Sequence, residues 1–187
     1  TYHFSFEELG FREDRVAAGT AATLFYELPV PHSWQGVSPK INLHFSHSSL
    51  LIPDLSQMTV LYNDIPVADV RLTQENQQSG WLRLVIPENA LRVDRHQLKI
   101  AFYQRMTAER CGDSGTEAGL WAVIHKDSSI DFQVEQKASI DLGWFPEPFS
   151  IYEQRAIAPV KLTVVLPAEP DENDLQAAGL VTAKLGQ

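Results

Sequence analysis

The stretch Ile41-Asn42-Leu43-His44-Phe45-Ser46-His47 places Ile41, Leu43 and Phe45 on one parity and Asn42, His44 and Ser46 on the other. Successive side chains of an extended chain point to opposite sides. A period of two therefore predicts a half-buried strand, with the apolar set on a core and the polar set facing water.

The same alternation spreads in both directions. Residues 58–62 run into Asn63-Asp64, a dipeptide that tolerates left-handed backbone, and residues 65–72 return, with Pro66 near the start. This predicts a hairpin. Residues 81–86 set Leu82, Leu84 and Ile86 against Arg83 before Pro87 and Asn89 end the run, and residues 96–104 bring Leu98, Ile100 and Phe102 inward. Residues 107–119 are polar and carry Gly112, Gly115 and Gly119, which predicts a long surface loop. Strands near 120–125 and 130–134 follow. Short strands between Pro, Gly, Asn and Asp breaks, from residue 2 to about 150, predict a mainly β fold, an antiparallel sandwich or barrel.

After Gly143-Trp144-Phe145-Pro146 the pattern changes. Residues 160–166 form a nearly continuous apolar run, as in a strand buried on both faces. Asp171 is then a natural N-cap, with Asp174 three residues on near the positive end of the helix dipole. Leu175, Ala178, Val181 and Leu185 make an apolar stripe, and Gly186 suits the C-terminal end. Strand then helix opens a βαβ unit whose second strand is missing. The expected organisation is a β-sandwich over 1–150, then linker, strand and helix of a truncated α/β domain over 151–187.

At 187 residues, with 44% apolar and 21% charged side chains, the chain can fill a core and is not composed like a disordered segment. A net charge of −9 without any Lys/Arg cluster argues against nucleic acid as a partner. No stretch approaches the roughly 20 apolar residues of a membrane span. Thr1 opens directly into alternating sequence, as in a cytosolic chain or one lacking its leader. Cys111 is the single cysteine, so no internal disulfide marks the compartment.

Four motifs carry a resemblance. They are Phe45-Ser-His-Ser-Ser-Leu-Leu-Ile-Pro-Asp-Leu-Ser56, Met58-Thr-Val-Leu-Tyr-Asn63, Cys111-Gly-Asp113 ahead of Leu120-Trp121, and Leu162-Thr-Val-Val-Leu-Pro-Ala-Glu-Pro-Asp-Glu-Asn-Asp-Leu-Gln-Ala-Ala-Gly179. In this order they resemble the B subunit of bacterial cellulose synthase, over its first carbohydrate-binding domain and the entry to its first flavodoxin-like domain. The resemblance implies a jelly-roll-like sandwich in which Asn63, Cys111, Leu120 and Trp121 are structural. It also implies a non-catalytic, periplasmic or otherwise extracytoplasmic subunit. Such a subunit would support the catalytic subunit, guide the nascent β-1,4-glucan, and be held to the membrane by a C-terminal anchor beyond these residues. Its pathway would be one controlled by cyclic di-GMP, with the nucleotide on the catalytic subunit rather than on this acidic chain.

Sugar faces lie on aromatic rings, so exposed aromatics are the residues to seek. Trp81 shares parity with Arg83 and Val85, opposite Leu82, Leu84 and Ile86, and can face solvent, although shielding of an edge strand would account for it equally. Tyr103 shares parity with Lys99 and Ala101 and is the second stacking candidate. Trp34 is a third, in the loop Pro31-His-Ser-Trp-Gln-Gly36, where a ring can either cap the core or meet a ligand. Trp121 reads as a core ring beside Ala122 and Ile124, and Trp144 as packing at the domain junction. His44 and His47, three apart on a strand, point to opposite faces and read as surface histidines, so no shared metal is expected. Glu7-Glu8 and Asp171-Glu172 lack the fixed gap of a hydrolase pair. No catalytic residue and no cofactor is expected. The competing reading is a purely structural sandwich for subunit contact or homo-oligomer assembly.

Overall fold

The computed structural model describes residues 1–30, 35–92, 95–108, 117–135 and 163–185. It is a two-layer antiparallel sandwich. The ten strands among these residues are β1 (Tyr2–Ser5), β2 (Arg15–Ala18), β3 (Ala21–Glu27), β4 (Gln35–His47), β5 (Gln57–Tyr62), β6 (Ile65–Arg71), β7 (Gly80–Val85), β8 (Gln97–Tyr103), β9 (Trp121–Ile124) and β10 (Ser129–Glu135). One sheet has the order β3-β8-β5-β6. The other has β1-β10-β4-β9-β2, with β7 on β4.

The registers simplify the second sheet. Ile41 faces Ile130 of β10 on one side and Leu84 of β7 on the other, while Phe45 faces Ile124 of β9 and Gly80 of β7. β9 and β10 therefore lie end to end along the same side of β4, interrupted at residues 125–128. β1 and β2 continue that pattern outward, on β10 and β9 respectively.

Between the sheets, Ile41, Leu43 and Phe45 meet Met58, Val60 and Tyr62 and the β8 residues Leu98, Ile100 and Phe102, all buried. Each such side chain contributes about 1.5–3 kcal/mol by leaving water, which explains why alternation fixes the strand faces. The hairpin forms as its dipeptide requires: Asn63 (φ 49°) and Asp64 (φ 69°) both adopt left-handed backbone between β5 and β6. Asn63 is itself buried. Its Nδ2 donates to the Ala90 carbonyl at 2.9 Å and its Oδ1 accepts from the Gln97 backbone N–H at 2.9 Å, tying the turn to the start of β8.

Three expectations need correction. Trp121 is not a core ring: Leu120, Ala122 and Ile124 take the inward parity of β9, which leaves Trp121 outward and 37% exposed. His47 is not a surface residue. It continues the parity of Ile41, Leu43 and Phe45, is 4% exposed, and sets its ring nitrogens 3.0 Å from the Ser48 carbonyl and 2.8 Å from Oδ1 of Asn76. The apolar run ending at Leu166 forms no strand over residues 163–166, where Val165 is 86% exposed. A strand buried on both faces needs neighbouring strands and covering helices, and no described strand pairs with it.

Helix α1 (Glu172–Leu185) follows, capped as expected. The Asp174 backbone N–H donates to Oδ1 of Asp171 at 2.8 Å, and the Asp171 N–H donates to Oδ2 of Asp174 at 3.1 Å. Its stripe is not covered, since Leu175 is exposed and Ala178 and Val181 are only half-buried. Gly186, Trp144 and the division at residue 150 lie outside the described residues.

Candidate functional site: two outward ring platforms

Trp81 and Tyr103 stand on different sheets. Their strands are β7 and β8, and the sheets of a sandwich pack about 10 Å apart with outward side chains beyond that. No single sugar ring can touch both. Trp34 and Cys111 lie outside the described residues.

On the β8 sheet the outward side chains fall into rows: Ala21, Tyr103 and Gln57, then Thr23, Ala101 and Thr59, then Phe25, Lys99 and Leu61. The small residues of the first two rows floor a depression of about 340 Å³, with Tyr103 at its margin. Tyr103 is 44% exposed and Phe25 50% exposed. Phe25 pairs with Lys99, four residues before Tyr103, so the two rings are about 14 Å apart along the strands. Polar groups flank both rings. The Lys99 ammonium lies 5.4 Å from the Phe25 ring centroid and is salt-bridged to Asp64, and the Thr59 hydroxyl donates to Asp69 at 2.6 Å. Phe25 was legible in Ala21-Ala-Thr-Leu-Phe-Tyr-Glu27, where Leu24 and Tyr26 share one parity and Phe25 takes the other.

On the β4 sheet Trp81 is 53% exposed and lies flat against His44, its partner in register. His44 in turn lies 4.4 Å from His125, ring to ring. The interruption between β9 and β10 builds this row. The His125 backbone N–H donates to the His44 carbonyl at 3.0 Å, but the His44 N–H donates to the Ser128 hydroxyl at 2.9 Å instead of to a backbone carbonyl. The extra residues turn outward and carry Asp127 over the imidazole, as bulges re-aim side chains elsewhere.

Each imidazole is held at both nitrogens. Nδ1 of His44 donates to Asp127 at 2.7 Å and its Nε2 lies 2.9 Å from the Ser79 hydroxyl. Nδ1 of His125 donates to Asp14 at 2.8 Å and its Nε2 lies 2.9 Å from the Ser46 hydroxyl. A carboxylate can only accept, which puts a proton on Nδ1 of each ring. Asp14 also accepts the Lys126 backbone N–H at 2.8 Å. That bond, followed by the one from His125, holds its carboxyl below the ordinary range. Sequence parity placed His44 on this face, but nothing in the sequence brought His125, Asp127 or Asp14 to it. His125 and Asp127 arrive through the interruption between β9 and β10, set by pairing with β4 about 80 residues away, and Asp14 through the pairing of β2 with β9.

Among the described residues no three His, Cys, Asp or Glu side chains converge to hold a metal ion, and no helix is long and apolar enough to cross a membrane.

A family model described as "Cellulose synthase BcsB, first CBM domain" matches residues 1–136. Relatives described as "Cyclic di-GMP-binding protein" are similar. That from Pseudomonas fluorescens is 27% identical over 186 residues, covering 99% of this chain and 24% of the relative. That from Xanthomonas axonopodis pv. citri is 30% identical over 148 residues, covering 78% and 18%. That from Salmonella typhi is 31% identical over 151 residues, covering 78% and 19%. The chain thus spans a quarter or less of these relatives.

Proposed function

The chain belongs to the family of the first carbohydrate-binding domain of the cellulose synthase subunit BcsB, and from that premise we propose that it is a non-catalytic, extracytoplasmic module that contacts the nascent β-1,4-glucan on the outer face of the β8 sheet. The observation that supports this is the spacing of Tyr103 and Phe25. Two half-exposed rings stand apart on a floor of alanine and threonine, each beside polar groups, instead of merging into one apolar patch. Sugar stacking needs separated rings with hydrogen-bonding neighbours, whereas a stable protein interface needs contiguous apolar surface.

In this reading the domain holds its polymer weakly and in passing, as a guide must, and the catalytic subunit performs the synthesis. The anchor to the membrane and the flavodoxin-like domain opened by the Asp171-capped helix belong to the rest of the subunit. No oligomer is required.

The test is a titration of cellohexaose into the chain followed by backbone amide shifts. Shifts of β3, β5 and β8 that are lost on these strands in Tyr103→Ala and weakened in Phe25→Ala, while the unfolding midpoint stays near wild type, support the reading. Silence of these strands at millimolar sugar overturns it. If no strand of either sheet responds, the alternative, a structural sandwich for subunit contact, takes its place. Val16 on β2 and Trp121 on β9, both exposed on the other sheet, are the apolar groups that favour it.

A further inference from the structure

The Trp81 row is unexplained by a face on the opposite sheet. We propose that Trp81 is a second, independent stacking position for a neutral glucan segment, so that the domain offers one sugar contact on each outer face. This rests on the carbohydrate reading above.

Trp81 sits on β7, which among the described residues pairs with β4 alone. Because its ring stacks on the His44 ring across that pair, the opposite indole face looks away from β4, off the sheet edge. Half the ring is open, so its burial does little for the core.

The ring is nonetheless firmly backed. His44 stands against it, fixed by Asp127 and Ser79, and His125 stands behind His44, fixed by Asp14 and Ser46. Four polar side chains and two imidazoles orient one exposed indole. A ring already immobilised loses little conformational freedom when a ligand arrives, which is what a stacking platform requires.

The rim chooses the ligand class. The Ser79 hydroxyl and the Asp127 carboxylate meet the edge of the His44 ring on which the indole lies, and exposed Arg83 stands two residues along β7 on the same side as Trp81. The next exposed apolar side chain on the strand is Val85, about 14 Å away. A pyranose presents a flat face of C–H groups edged by hydroxyls, and it fits one isolated ring with acceptors and donors of both charges at its rim. With Arg83 and Asp127 both nearby, no net charge selects an ionic ligand, and a protein partner would find too little apolar surface along the strand.

The same cellohexaose titration, read at the tryptophan indole N–H signals and the β7 amides, tests this. The expected result is a saturable shift of the Trp81 signal and of β7, lost in Trp81→Ala and retained in Tyr103→Ala. His44→Ala should weaken the response without abolishing it, because it removes the backing and not the platform. A Trp81 signal that does not move overturns the inference, even if β8 responds and the face proposed above stands. A Trp81 response with β8 silent upholds this site and removes the other.

Discussion

The Trp81 indole and the His44 imidazole lie parallel, with planes 2° apart and ring centroids 4.3 Å apart, across the pairing of β7 with β4. His44→Ala should free the indole and leave Asp127 and Ser79 without their partner. The expected cost is about 1 kcal/mol in urea unfolding, with faster side-chain motion of Trp81 in nitrogen-15 relaxation. His44→Phe keeps a ring in place and should restore most of the rigidity. If Trp81 relaxes identically in all three proteins, the imidazole is not what orients it.

Asn63 serves the turn twice. It supplies a positive φ, and its amide closes two hydrogen bonds that would otherwise leave the Gln97 N–H and the Ala90 carbonyl buried without partners. Asn63→Ala should cost about 2–4 kcal/mol. Asn63→Gly relieves the backbone strain but not the lost bonds and should recover only part of this. A full recovery in the glycine variant would show that backbone geometry alone matters here.

Gly80 faces Phe45 so closely that an added Cβ would lie 2.4 Å from the ring carbon Cζ. Both are walled by the core, so Gly80→Ala should destabilise by about 2–3 kcal/mol through overpacking. Pairing it with Phe45→Leu should cost less than the sum of the two single changes, because the smaller side chain vacates the clash. Strict additivity would argue against contact between the two positions.

Two exposed carboxylates predict acid sensitivity. Asp14 is held below its ordinary value of 3.8, first by the Lys126 backbone N–H and then by His125. Glu8 is held below 4.5 by the Ser5 backbone N–H and hydroxyl. A depressed carboxylate stabilises the fold fully above its unfolded pKa and ceases to as pH falls through the lower folded value. Stability should therefore decline as pH drops below about 4, and the decline should be shallower in Asp14→Asn and Glu8→Gln. Urea midpoints measured down to about pH 3 decide it, and unchanged slopes in both variants would count against these bonds.

Much of the sandwich was legible because a strand with one wet face writes its burial into every second residue. Residues 41–47, 58–72 and 96–104 show this, as does the Asp171 cap, whose reciprocal bond to Asp174 depends on a spacing of three. The first three strands were less plain. In β2, Arg15 to Ala18 offers only four residues, too few for a period to stand out. Parity against Ala122 and Ile124 places Trp121 outward, although a ring of its size is more often buried.

By itself, then, the sequence determined the strands that alternate, the Asn63-Asp64 turn, the family, and the outward parity of Trp81 and Tyr103. Those are local properties, set by the two-residue period of an extended chain and by which residues tolerate a given backbone angle. Only the tertiary structure decided which sheet each ring joins, that β9 and β10 share one side of β4, and that the break between them brings Asp127 and His125 to His44. Strand pairing over long separations is a property of the assembled sheet. No window of sequence short enough to read contains it.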